Sequence, residues 1–154
     1  MKKGKNVKPS NPPILSLLLL VAGTALAVSS PAGAAPFDVT DAWFRSLPGG
    51  VPAGGYFNAH NNSDRVVAIN GVQSGACGML MMHQSSNKGG MSGMDMVDKV
   101  VVPAGGTVKF APAGYHLMCE QPKMKIGGKV PVSFSLSNGT TVVVAFQVKN
   151  AAGK

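Results

Sequence analysis

The sequence predicts an all-β domain, a sandwich or barrel, and three observations carry that expectation. Helical periodicity is nearly absent after residue 35. Short β-branched runs alternate there with Gly, Pro, Asn and Asp at the spacing of an all-β domain, and the C-terminal stretch spells a hairpin. In that hairpin Val132, Phe134 and Leu136 alternate with polar residues, Asn138-Gly139 supplies the turn, and Val142, Val144, Phe146 and Val148 alternate back. Upstream, short strands are expected over 37–44, 55–60, 66–72, 79–83, 96–102, 107–110 and 116–119. Pro103-Ala104-Gly105-Gly106 and Pro112-Ala113-Gly114 read as tight turns, and the polar, glycine-rich segment 85–93 reads as a loop.

Before this domain lies an export signal. Lys2, Lys3, Lys5 and Lys8 precede an apolar run from Ile14 to Val28, and Ala32-Gly33-Ala34 follows as an A-x-A cleavage site. The run is about fifteen residues, short of the roughly twenty that span a bilayer, so cleavage after Ala34 is expected over a permanent anchor, and no stable membrane insertion. Pro31 and the small residues around it also argue against a continuous anchoring helix. The expected organisation is a signal peptide at 1–34 and one domain at 35–154, which places the mature protein in the periplasm. No cysteine follows the cleavage site closely enough to take a lipid, so a soluble protein and a monomer are expected.

Charge excludes one class of function. The formal charge is +8, but without the four signal lysines ten Lys+Arg face six Asp+Glu, so 10 − 6 = +4. The remaining basic residues are scattered from Arg45 to Lys154 and are not interleaved with aromatics, so no nucleic-acid partner is expected. Catalytic signatures are missing too: there is no Ser/His/Asp-type motif, phosphate-cradling glycine loop or strong zinc motif, and the expectation is that the protein is not an enzyme.

The chemistry lies in soft donors. His83, Met94, His116 and Met118 stand in the frame H-x10-M-x21-H-x-M, and thioether sulfur with imidazole nitrogen suits Cu(I), whereas hard cations want oxygen. His116 and Met118 are two apart on an expected strand, so both project to one side and can reach one metal. Met94 and Met96 have the same spacing, and Met91, Met94 and Met96 lie in a segment of Gly, Ser, Asp and Lys where no core needs filling. Met91 and Met96 are therefore candidate auxiliary ligands. Met79, Met81 and Met82 run into His83 on an apolar strand and are expected to pack inside or against the sheet, the usual role of methionine. His60, before Asn61-Asn62-Ser63-Asp64, is expected to be hydrogen-bonded or solvent-facing and not a ligand.

Cys77 and Cys119 form an even pair in a chain bound for an oxidising compartment, which favours a disulfide between them. The rival reading makes one or both of them copper ligands, because Cys119 directly follows Met118.

The ligand frame resembles the signature of the periplasmic copper chaperone family called PCu(A)C, and the likeness extends over nearly all of the mature chain. Asp41-Ala42-Trp43 resembles the family's opening strand, and Gly55-Tyr56-Phe57 with Asn61-Asn62 resembles its second block. Pro103-Ala104-Gly105-Gly106 with Gly114-Tyr115-His116-Leu117-Met118 resembles its most recognisable stretch. The resemblance implies a cupredoxin-like Greek-key β-sandwich holding one Cu(I) through His83, Met94, His116 and Met118. It also implies delivery to the binuclear copper centre of a cytochrome c oxidase subunit, alone or with a thiol-disulfide copper chaperone. A second ion, Cu(II), bound through Met91 or the N-terminal tail is left open. Gln84, Met91 and Asp95 depart from the commonest family pattern, and the cysteine pair is not part of the general signature. Two rivals share these donors: a copper buffer or resistance protein, and a blue-copper electron carrier using Cys119 as its thiolate.

Overall fold

Ten β-strands joined by turns make up the ordered body of the protein in a computed structural model that describes Gly4 and residues 35–154; the expected signal at 1–34 lies outside the described residues. The strands are β1 (Phe37–Arg45), β2 (Ala53–Asn61), β3 (Val67–Gln73), β4 (Met79–Lys88), β5 (Met91–Met96), β6 (Val100–Val102), β7 (Thr107–Phe110), β8 (Tyr115–Glu120), β9 (Lys129–Leu136) and β10 (Thr141–Lys149). No helix occurs among the described residues, so the all-β expectation holds.

The strands hydrogen-bond in the order β5-β4-β8-β7-β2-β1-β10-β9-β3-β6, with β8 also pairing β2. β1 with β10 and β7 with β8 run parallel, and the other pairs are antiparallel. The sheet curls into a half-barrel, which brings β3 against β4 and β6 against β2 and β7. All six phenylalanines are buried in the interior. Phe57 stacks on Phe110 at 4.1 Å between ring centroids and meets Phe134 at 5.1 Å and Phe146 at 5.7 Å edge-on, while Phe44 packs on Phe146 at 5.0 Å. Such offset and edge contacts add about 0.5–1.5 kcal/mol each beyond the area they bury. The β9–β10 hairpin supplies Val132, Phe134, Phe146 and Val148 to this core, as its alternation predicts.

Two features pull β8 tightly into the body. Gly55 lies opposite Leu117, and a Cβ at Gly55 would come within 2.6 Å of the Phe44 ring and 2.9 Å of Leu117 Cβ, so only glycine lets β2 approach so closely. At the other end of β8 the disulfide Cys77–Cys119, with Cα atoms 5.4 Å apart, ties the strand to the turn that leads into β4. Backbone bonds reinforce the tie: Gly78 N–H donates to the Glu120 carbonyl at 2.9 Å, and Lys123 N–H to that of Ala76 at 2.7 Å.

The segment 85–93 departs from the expected loop. β4 continues to Lys88 and β5 returns from Met91, forming a hairpin whose turn is Gly89-Gly90, with φ of 63° and 84°. Two successive left-handed residues are what a two-residue hairpin turn demands, and glycine meets that demand without strain. The polar composition that resembled a loop belongs instead to a ladder remote from the core, and all six residues of β5 are exposed. The strand expected over 96–102 is likewise broken, with β5 ending at Met96 and β6 starting at Val100.

Replacing both bridged cysteines by alanine is expected to cost about 3–4 kcal/mol, the chain-entropy value for a loop of this length. Urea unfolding of the double variant against the parent measures it, and equal stability would show that the bridge constrains nothing.

Candidate metal centre

The pairing of β4 with its two neighbours decides which side chains meet. On one side His83 lies directly opposite His116 of β8 and Met81 opposite Met118; on the other His83 lies opposite Met96 of β5, and Ser85 opposite Met94. Directly paired residues share a face with Cβ atoms about 4.5–5.5 Å apart. Alternation then puts Met79, Met81, His83, Met94, Met96, His116 and Met118 all on one face. Leu80, Met82, Leu117 and Cys119, on the opposite face, pack into or against the core.

The two imidazoles form the floor of this face. Their ring centroids are 5.8 Å apart with planes at 71°. Metal–nitrogen bonds of about 2 Å put two imidazoles on one ion with ring centres roughly 5–6 Å apart, so the spacing fits shared ligation. His116, only 7 % exposed, is held by a 3.0 Å bond between its Nδ1 and the Gly114 carbonyl. A carbonyl only accepts, so Nδ1 carries the proton and Nε2 keeps its lone pair for a metal, the usual division of labour in a ligating histidine. His83 is less settled: its Nδ1 is buried without a hydrogen-bond partner. Leaving such a group unpaired costs about 1–3 kcal/mol.

Burial pushes the His83 pKa below the ordinary 6.5, and His116 pushes the same way, while Glu120 pulls it up. The folded protein therefore favours neutral His83, the form that can bind a metal. Because the folded value is the lower one, the stability from this group is complete above the unfolded value and is lost as pH falls below 6.5.

Above the floor stand the thioethers. Met94 and Met96 are 58 % and 65 % exposed at the rim, and Met118 is half-buried. Met94 also lines an open depression of about 470 Å³ with Ser85, Ser92 and Ala113. The donors themselves carry no negative charge, although Glu120 shares their face opposite Met79; no cluster of three His, Cys, Asp or Glu that could hold a metal exists among the described residues.

The structure thus brings His83, Met94, Met96, His116 and Met118 to one face. It does not bring Met91 there: Met91 pairs with Lys88 and alternates onto the opposite face of β5 from Met94 and Met96, so its expected auxiliary role has no geometric support. Both cysteines are in the disulfide, so Cys119 is no thiolate donor, and the blue-copper and cysteine-ligand readings lose their sulfur. His60 shares a 2.7 Å hydrogen bond with Thr107 on the β2–β7 pair, as expected of a non-ligand. Of the three methionines expected to pack inside or against the sheet, Met82 is buried in the core, Met81 is half-buried and Met79 is exposed. Met79 and Met81 stand on the donor face, and the two-residue rhythm 79, 81, 83 was the signal that could have placed them there.

Nitrogen-detected NMR of the metal-free protein at pH 8 is expected to find His116 protonated on Nδ1 with Nε2 bare, and His83 titrating with a midpoint below 6.5. A His116 protonated on Nε2 would contradict the Gly114 anchor.

The family model "Putative lipoprotein LpqE-like" matches residues 37–148. The "Putative lipoprotein Lxx21020" of Leifsonia xyli subsp. xyli is 30% identical over 118 residues, which cover 75% of this chain and 70% of that protein. Among solved structures, the Cu(I) form of DR1885 from Deinococcus radiodurans superposes with a TM-score of 0.62 at 29% identity, covering 79% of this chain and 85% of that one. The copper-bound PCuAC domain of PmoF2 gives a TM-score of 0.63 at 21% identity, covering 75% of this chain and 94% of that one, a likeness of fold. The chain belongs to the LpqE-like family, and its half-barrel is the cupredoxin-like fold of the PCuAC domains.

Proposed function

We propose that the protein is a periplasmic copper carrier which holds one Cu(I) through His83, His116, Met118 and Met94 and surrenders it to an acceptor, the binuclear copper centre of cytochrome c oxidase being the candidate, alone or with a thiol-disulfide copper chaperone. The observation that carries this reading is the histidine pair. Two imidazoles face each other across β4 and β8 at ligating distance, one with a bare Nε2 and the other with an unpartnered buried nitrogen, amid thioethers. Such a neutral nitrogen and sulfur set suits Cu(I). The copper-loaded relatives, PmoF2 and DR1885, support the choice of metal. A disulfide and a lipoprotein family name agree with a compartment outside the cytoplasm.

The build of the site suits transfer. Its histidines are set into the sheet by backbone pairing, while Met94 sits at the exposed rim near the Gly89-Gly90 turn. An acceptor's donor can replace Met94 first, while His83, His116 and Met118 keep the ion, and the remaining bonds then exchange stepwise. No electron moves, and the ion stays Cu(I). A carrier of this kind is not an enzyme. Met96, directly opposite His83, can take the place of Met94 as the rim donor, which makes rim exchange internal to β5.

Anaerobic titration with Cu(I) against a chromophoric chelator is expected to find one tightly bound ion, with the disulfide intact. His116→Gln should weaken it about a hundredfold or more and Met94→Leu only about tenfold, roughly 1.4 kcal/mol. The opposite order, or binding that needs reduced cysteines, would overturn the reading. Incubation of the loaded protein with the soluble copper domain of an oxidase subunit separates a chaperone, which gives up its ion, from a copper buffer, which keeps it.

A further inference from the structure

We propose a second Cu(I) site on the same face, built from the thioethers of Met79, Met81 and Met118; it rests on the copper reading above. The donor count points to it. The face carries two imidazoles and five thioethers, those of Met79, Met81, Met94, Met96 and Met118, and a four-coordinate ion takes four of these seven. Met79, Met81 and Met96 are left over; Met96 stands opposite His83 and can serve the first site, while Met79 and Met81 stand beside Met118.

Met81 lies directly opposite Met118, and Met79 is two residues along β4, diagonal to Met118. Diagonal neighbours are within reach of long side chains, so three sulfurs can close on one ion. Packing does not explain these methionines. Leu80 and Met82, which alternate with them, face the core, whereas Met79 is 58 % exposed and Met81 is only half-buried. Glu120, directly opposite Met79, supplies the one carboxylate on this stretch of the face and offsets the charge of a second cation.

The two sites share Met118. With one ion bound, Met118 closes the histidine site. With two, His83, His116, Met94 and Met96 hold the first ion and Met118 turns to Met79 and Met81, which accounts for all seven donors. The second site has no imidazole and its Met79 is exposed, so it fills later. It also lies beside the first along β4 and β8, so an ion taken up on the thioethers can pass to the histidines by exchange through Met118 without entering solvent.

The test is a Cu(I) titration of the full chain carrying 13C-labelled methionine methyl groups and 15N-labelled histidine, each methyl signal assigned by single Met→Leu variants and binding counted by native mass spectrometry. The first equivalent should shift the histidine signals with Met94 and Met118, and the second should shift Met79 and Met81. In the double variant M79L/M81L the second equivalent should be lost, with the affinity for the first changed less than about threefold. A chain that binds one equivalent and no more, or a double variant that still takes two, overturns the second site and leaves the carrier reading intact. A first equivalent that leaves the histidine signals unmoved overturns both. The methyl shifts are read on the unaltered protein, so a folding defect in the variant cannot mimic the result.

Discussion

Six residue pairs hold β4 against β8, from Met79 opposite Glu120 to Gln84 opposite Tyr115, and the rest of the site depends on their register. The side-chain period of a strand is two, so a slip of one residue would send His83 and Met81 to the core face and bring Leu80 and Met82 outward. Such a slip would bury the imidazole and expose two apolar chains, and the core therefore polices the position of the donors. The Cys77–Cys119 bridge and the close approach of Gly55 to Leu117 add covalent and steric limits at the two flanks of β8. The ligand geometry is thus a by-product of constraints that also stabilise the fold.

From this register follows a gradient across the site. His116 is nearly buried and fixed by the Gly114 carbonyl, Met118 is half-buried, and Met94 and Met96 stand exposed on the outermost strand. Rigid ligands with one bare lone pair bind without first paying to be ordered. Exposed rim donors on an edge hairpin add bonds that can be broken one at a time. In the proposed carrier, affinity and release would therefore fall to different strands, with β8 and β4 holding the floor and β5 the rim.

Much of this was legible in the sequence, and the failures share a cause. Alternation around Asn138-Gly139 gave the β9–β10 hairpin because a buried face imposes a hydrophobic rhythm. The two-residue spacing of His116 and Met118 likewise placed both on one face of β8. Residues 85–93 were read as a loop because an edge hairpin exposed on both faces carries no such rhythm; only Gly89-Gly90 betrayed the turn. Without that hairpin, nothing could align Met96 with His83 or separate Met91 from the site, since both follow from cross-strand pairing. The usual habit of methionine predicts packing inside or against the sheet for Met79 and Met81. The residue between them, Leu80, and the one after, Met82, are the ones that obey it.

The exposure of the rim has a further chemical consequence. Met79, Met94 and Met96 are more than half exposed, and a thioether in that position is open to oxidation by peroxide or hypochlorous acid. Conversion to the sulfoxide replaces a soft sulfur donor by a hard oxygen, so each oxidised methionine would withdraw one of the proposed ligands while leaving the imidazoles in place. Oxidant would thus strip the rim before the floor, and enzymatic reduction of the sulfoxides would restore it. On the proposed carrier reading, the same openness that would let copper leave would make the load the protein can carry a record of the redox history of its compartment.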